Sequence, residues 1–302
     1  MPAVLALFLL TGPASPAAAA TELAVTVDDL PTNGALPRGA TRLAITTQMI
    51  QALKRHAVPG VYGFTNGGQL QDNPELEGIL QAWRQAGFFF GNHTFSHVDL
   101  TRMSAAEYVA DIERNEGLLA RLSPPGTPRY FRYPYLNEGN TANKRKLVRE
   151  WLAGRGYTIV PVTVSLEDDW AWNDVYARCA TFDDKRAIAR LKDLFMEMAA
   201  SRLAAFESLS ARLFERPVKH ILLLHISAFE ALVLDDLLTA YRAAGTRFVS
   251  LSAALQDPVY GIDPELVSDA GQTFLEQVAL ARHVPIPDVL SRSPEELARL
   301  CR

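Results

Sequence analysis

The chain has 302 residues, enough for one large barrel domain or two ordinary ones, and its 48% hydrophobic and 21% charged residues are those of a globular protein. A formal net charge of -4 lacks the basic footprint of a phosphate-backbone binder, so nucleic acid is not an expected partner. No apolar run reaches the ~20 residues that a membrane-spanning helix needs.

The N-terminus reads as a targeting leader. Val4 to Leu10 is a short apolar run, Thr11 to Ala20 is small and Pro-rich, and Ala18-Ala19-Ala20 offers a small-x-small cleavage site before Thr21. No Lys or Arg occurs in this stretch, so the usual basic opening is missing. The expectation is a signal peptide over residues 1–20 and an exported product.

Leu23 to Val27 then forms a short apolar strand ending at Asp28-Asp29. Helical spacing runs from about Thr41 to Lys54, Gly60 to Phe64 is a second strand, and Pro74 to Ala86 is a helix with Leu76, Ile79, Leu80 and Trp83 on one face. Phe88 to Phe90 is a third strand leading to Gly91-Asn92-His93, and Ser104 to Glu107 is a capping box that fixes the next helix start. Arg129 to Arg132 is a fourth strand. It is followed by a helix from Thr141 to Ala153, stopped by Gly154 and Gly156, and by a fifth strand from Thr158 to Val164.

A long helical stretch covers about Asn173 to Phe214, Lys219 to His225 is a sixth strand, Phe229 to Ala243 is helical, and Arg247 to Val249 is a seventh strand. From Pro258 the chain reads as a helical appendage, its last helix opening at Ser293-Pro294-Glu295-Glu296. Cys179 and Cys301 sit in no metal-type spacing. They either pair, tying the tail to the body, or stay free.

Strands apolar throughout, alternating with helices, mean a parallel sheet covered on its faces. Periodicity leaves a TIM-like barrel and an open doubly wound sheet both possible, and both put chemistry at the C-terminal ends of strands. The reactive residues fall there. Asp28-Asp29 ends the first strand, His93 and His97 follow the third, Arg132 ends the fourth, Asp168-Asp169-Trp170 follow the fifth, and His225 ends the sixth.

The spacing of His93 and His97 puts two imidazoles on one face of a helical turn, within reach of one metal ion. A carboxylate from another strand end would complete a triad with positions left for water and substrate. Two adjacent carboxylates repel each other unless a cation intervenes, which suggests that one of the Asp pair ligates and the other accepts a proton. Along a strand they would point to opposite sides. Arg132 beside a base would keep it ionised and oriented, and His225, emerging from an apolar strand, is a natural proton donor.

These residues resemble the polysaccharide deacetylase family (the NodB homology domain, carbohydrate esterase family 4). Thr26-Val27-Asp28-Asp29 resembles its first motif, His93-Thr94-Phe95-Ser96-His97 its H-[ST]-x-x-H, Arg132-Tyr133-Pro134-Tyr135 its R-x-P-[YF], and Leu222 to His225 its Leu-x-His strand, in family order. The resemblance implies a distorted (β/α)7 TIM-like barrel over residues 21–257, with 258–302 as a helical extension.

It also implies a hydrolase that removes N-acetyl groups from an N-acetylated glycan. Asp28 would be the general base, Asp29, His93 and His97 the ligands of a divalent metal, usually zinc, and Arg132 the group orienting the base. The Tyr135 backbone N–H would help hold the oxyanion, His225 would be the general acid, and Asp169 would orient it. Two positions depart from the family pattern: Leu30 replaces a glycine, and Leu166 stands where the first aspartate of D-x-x-D-W belongs. Among aromatics near the strand ends, Tyr133 and Trp170 are the candidates for stacking on sugar. Two alternatives stay open, an O-acetyl esterase or other amide hydrolase on the same site, and an inactive glycan-binding protein on the same fold.

Overall fold

The computed structural model describes residues 20–166, 169–288, 297 and 299–301, without the side chains of Asp169 and Trp170. The expected leader and the helix opening at Ser293 therefore lie outside the described residues, apart from Ala20 and Leu297. The strands are β1 (Glu22–Leu30), β2 (Tyr62–Thr65), β3 (Phe89–Asn92), β4 (Arg129–Phe131), β5 (Tyr157–Ile159), β6 (Val164–Ser165), β7 (Lys219–His225) and β8 (Arg247–Phe248). The helices are α1 (Arg42–Arg55), α2 (Gln69–Asp72), α3 (Glu77–Gln85), α4 (Ala105–Leu122), α5 (Ala142–Gly154), α6 (Asp169–Thr181), α7 (Lys185–Phe214), α8 (Ala228–Ala243), α9 (Leu251–Ala254) and α10 (Phe274–Ala281).

All strand pairings are parallel, in the order β5-β4-β3-β2-β1-β7-β6, with β8 beside the start of β1. The expected fifth strand is two short ones. Val160 N–H still bonds to Phe131 in β4, but Pro161 has no N–H to offer, and Thr163 N–H bonds to Ile221 in β7. The single segment from 157 to 165 thus pairs with β4 by its first half and with β7 by its second, and it curls the sheet into a distorted barrel. The open doubly wound alternative is excluded by this closure.

β1 is the central strand because it is apolar on both faces. Leu23, Ala24, Val25 and Val27 are all buried, and so is every residue from His220 to Leu224 in β7. Their register runs from Glu22↔Lys219 to Asp28↔His225. It brings an acid and a histidine from opposite ends of the chain level at the same rim. Sequence position has no part in this; hydrogen-bond register decides it.

The capping box at Ser104 and Glu107 starts α4 as anticipated. The stretch expected as one helix from Asn173 to Phe214 is two. Asp183 turns into the left-handed region (φ 51°) and the Asp184 side chain accepts from Ala187 N–H, capping a new helix. The appendage is less helical than its periodicity implied. After a 3-10 turn at Pro258–Gly261 the chain has no regular structure until α10, whose own capping box pairs Thr273 with Glu276. Cys179 and Cys301 form a disulfide. Among the described residues, no helix is long and apolar enough to cross a membrane.

Candidate metal centre and active site

The strand order collects the reactive side chains at one rim, but local backbone geometry aims them. The β1–β2 register shifts between Val27 and Leu30, and Asp29 sits at φ 64°. This corrects the expectation that the two aspartates point to opposite sides. The bulge swings Asp29 around, so that Asp28 Oδ2 and Asp29 Oδ1 lie 3.7 and 3.4 Å from the same atom, His93 Nε2. A left-handed aspartate costs on the order of 1–3 kcal/mol and persists only where its surroundings hold it. Here Asn66 N–H bonds to Leu30 O at 2.8 Å and Asn33 N–H to Ile226 O at 3.1 Å.

The stretch from His93 to His97 is a loop and not the helical turn that its spacing implied. Thr94 and His97 are both left-handed (φ 60° and 52°), yet the two rings still converge, with centroids 5.1 Å apart. Buried polar groups hold the loop open. Asn66 Nδ2 donates to the His93 and Thr94 carbonyls, Thr94 N–H bonds to Asn92 Oδ1, and Asp111 accepts from Ser96 N–H and Oγ.

His93 Nδ1 lies 2.9 Å from the Arg132 carbonyl. A carbonyl only accepts, so Nδ1 carries the proton and Nε2 presents its lone pair inward. His97 Nε2 approaches Asp29 Oδ1 at 3.1 Å. One donor atom from each of Asp29, His93 and His97 lies within 4.8 Å of the other two. Asp29 Oδ1 is buried and has no hydrogen-bond partner although two ring nitrogens crowd it. A buried oxygen in that state, beside the inward lone pair of His93 and a second imidazole, fits a cation.

Burial pushes the Asp29 carboxyl up. The contacts from His93 and His97 and the electrostatic influence of His97 and His225 outweigh it, holding the group well below the usual carboxylate range.

Asp28 is fixed from the other side. Arg132 and Asp28 are 1% and 2% exposed, and Arg132 Nη1 donates to Asp28 Oδ1 and Thr26 Oγ1, both at 2.7 Å. Its Nε reaches Val160 O at 3.3 Å, and the guanidinium lies 4.2 Å over the Phe64 ring. Burial pulls the Arg132 pKa down, and Asp28 opposes that. His225 Nε2 lies 3.8 Å from Asp29 Oδ2.

Tyr135 is left-handed (φ 58°) and 59% exposed, its ring edge-on to His97 at 4.5 Å. Tyr133 is not a sugar platform. It is buried against Phe131 and Tyr108, because Pro134 and the left-handed turn send only Tyr135 outward. The side chains of Asp169 and Trp170 lie outside the described residues, as does Asp168.

These groups open onto a cavity of about 570 Å³ lined by Asp28, Asp29, His93, His97, Tyr135 and His225, and by Ser165, Leu166 and Leu223. A second cavity of about 410 Å³ has Glu116 as its only acid and no histidine. Asn66 and Asp111 carry no role in the sequence, and Thr26 stands there only as part of the first motif. A threonine inside an apolar strand was a visible signal, as was an asparagine at the end of β2. Gly271, Thr273 and Glu276, which line the main cavity from the C-terminal segment, have no site role in the sequence, where the only local pattern among them is the capping-box spacing of Thr273 and Glu276.

A model of the family described as polysaccharide deacetylase matches residues 17–151. The peptidoglycan-N-acetylglucosamine deacetylase of Bacillus cereus is 28% identical over 160 residues, 53% of this chain and 50% of that one. The chain spans half or less of the length of the curated relatives it matches. The chitin deacetylase structure from Colletotrichum lindemuthianum superposes with a TM-score of 0.51 at 21% identity, covering 79% of this chain and 88% of that one. A carbohydrate esterase family 4 pseudoenzyme from Bacillus anthracis does so with a TM-score of 0.52 at 15% identity, covering 79% and 66%. These likenesses establish the fold alone, since a pseudoenzyme shares it. The family match covers the first three motifs, and the fourth, Leu222 to His225, stands at the same barrel rim, so residues 17–151 are similar to the polysaccharide deacetylase family.

Proposed function

We propose that the protein removes N-acetyl groups from an N-acetylglucosamine-type polysaccharide or oligosaccharide, releasing acetate, with a divalent cation held by Asp29, His93 and His97. The observation that carries this is the buried, unbonded Asp29 Oδ1 between two ring nitrogens, beside an aspartate locked by a buried arginine. Two imidazoles and a carboxylate suit zinc. When bound, the cation polarises the acyl carbonyl and lowers the pKa of a water.

Asp28 then takes the proton of the attacking water. Arg132 keeps the Asp28 Oδ1 engaged and its charge in place, while Oδ2 lies 3.7 Å from His93 Nε2. The Tyr135 backbone N–H, set by the left-handed turn, helps hold the developing oxyanion. His225 gives a proton to the departing amine. The names of the relatives, peptidoglycan and chitin deacetylases, support an N-acetylated glycan as substrate. Export is supported by the composition of the leader and by the disulfide, which persists in oxidising compartments.

The test is acetate release from N-acetylglucosamine oligomers and from acetylated xylan, with metal analysis of the same preparation. Acetate from the oligomers, abolished by a chelator and restored by zinc, is expected. Asp28→Asn should lose about 10²- to 10⁴-fold in turnover while still binding the cation, and His93→Ala should lose both. Release from xylan alone would favour the O-acetyl esterase. A metal-free protein that binds glycans would favour the inactive reading.

A further inference from the structure

The C-terminal segment after Pro258 forms a wall of the cavity. Five contacts fix it there. Gly271 presses on the Tyr135 turn so closely that a Cβ on it would lie 1.7 Å from the Tyr135 carbonyl oxygen. Asn137 Nδ2 donates to Asp269 O at 3.3 Å, and Phe274 N–H bonds to Val162 O at 2.7 Å, joining the segment to both sides of the rim. Arg145 and Arg149 hold Asp263 at the near end, and the disulfide anchors Cys301 at the far end to α6.

Within this wall, Glu276 is the third carboxylate lining the cavity, after Asp28 and Asp29. Its Oε2 accepts from Thr273 N–H at 2.8 Å and from Thr273 Oγ1 at 2.6 Å, so its side chain is held in one place. Its other oxygen, Oε1, has no bonding partner among the described residues. The cavity, at about 570 Å³, falls within the roughly 300–1,000 Å³ of pockets that enclose drug-sized ligands, far more than an acetamide group fills. Glu276 lines this same cavity. A carboxylate fixed in that way accepts strong hydrogen bonds from hydroxyl or ammonium donors and repels anions.

We propose that Glu276 is a specificity-determining residue. It accepts a hydrogen bond from a donor, hydroxyl or ammonium, on the sugar unit next to the one being deacetylated. The inference rests on the deacetylase reading above.

The test is Glu276→Gln in the full chain. Glutamine still completes a capping box, so α10 keeps its start while the negative charge is removed. Losing a charged hydrogen bond predicts a rise of about tenfold in KM for an N-acetylated tetramer, with a much smaller change in kcat. KM for a minimal N-acetylated amide too short to reach the wall should not rise, and the thermal midpoint should hold. An equal rise on a fully acetylated tetramer and on one carrying a free amine identifies a hydroxyl donor, whereas a larger rise on the amine-bearing tetramer identifies an ammonium.

An unchanged KM on both tetramers, or the same rise on the minimal amide, overturns the inference while leaving the deacetylase reading standing. Wild-type protein that releases no acetate from any of these substrates sinks that reading, and this one with it.

Discussion

Two regions face each other across the cavity and are held in different ways. The wall formed by the strand ends, from Asp28 to Tyr135, is locked by buried charge and buried amides. Asp29, Thr94, His97 and Tyr135 all adopt left-handed backbone there, which ordinary residues avoid. The opposite wall, from Asp263 to Glu276, relies on partly exposed ion pairs, a few backbone hydrogen bonds and a distant disulfide. The difference separates two tasks. Groups that would bond a cation and move a proton need placement within a fraction of an ångström, which strained, densely bonded backbone supplies. A surface that contacts the rest of a substrate tolerates looser fixing and can vary without disturbing the chemistry.

The sharpest test of this contrast is Arg132→Met. It removes the guanidinium and leaves Asp28 buried without its partner, a change that costs about 3–5 kcal/mol in such sites. Urea unfolding measures it, and a loss under 1 kcal/mol would mean that the strand-end wall is no more firmly locked than its neighbour.

A pH series probes the ground beneath the C-terminal segment. His220 is buried in β7, with its Nδ1 at 3.3 Å from Thr163 Oγ1, and burial pulls its pKa from 6.5 down to about 4. The unfolded chain therefore binds a proton between those values that the folded chain does not, so stability should rise as pH goes from 4 to 6.5. The full effect is about 3 kcal/mol, and His220→Gln should flatten that part of the curve.

Asp29 works in the opposite way. Its depressed pKa makes it a stabilising group above the usual carboxylate range, and that stability is lost only as pH falls through its folded value, well below 3.8. Acid unfolding with one slope in both proteins would remove His220 from the account.

The smallest effect is expected for Asp263→Asn. The aspartate side chain is 37% exposed, and Glu138 still engages Arg145 and Arg149. The expected loss is below about 1 kcal/mol, read as a small shift in urea midpoint with cation binding unchanged. A loss comparable to that of Arg132→Met would make the two walls mechanically alike.

The strand-end residues were legible because apolar strands alternating with helices have few architectures open to them, and those architectures gather reactive groups at one rim. Asp28, Asp29, His93, His97, Arg132 and His225 were all found by that rule. The orientation of each group was not legible. The bulge that turns Asp29 toward His93 comes from a register shift against β2, and the left-handed loop of His93 to His97 depends on Asn66 and Asp111, distant in sequence. Tyr133 and Tyr135 are two residues apart with the same side chain, yet one is core and the other rim. Only packing distinguishes them.

The amino-acid sequence by itself determined the parallel architecture, the family motifs and the residues able to hold a cation, because periodicity and residue chemistry are local properties. Tertiary structure decided that the barrel closes through one proline-broken segment, that Asp28 stands level with His225, that the two cysteines pair, and that the tail contributes Glu276. Each of these is a contact between segments far apart in the chain. Such contacts are set by register and packing, which no local pattern encodes.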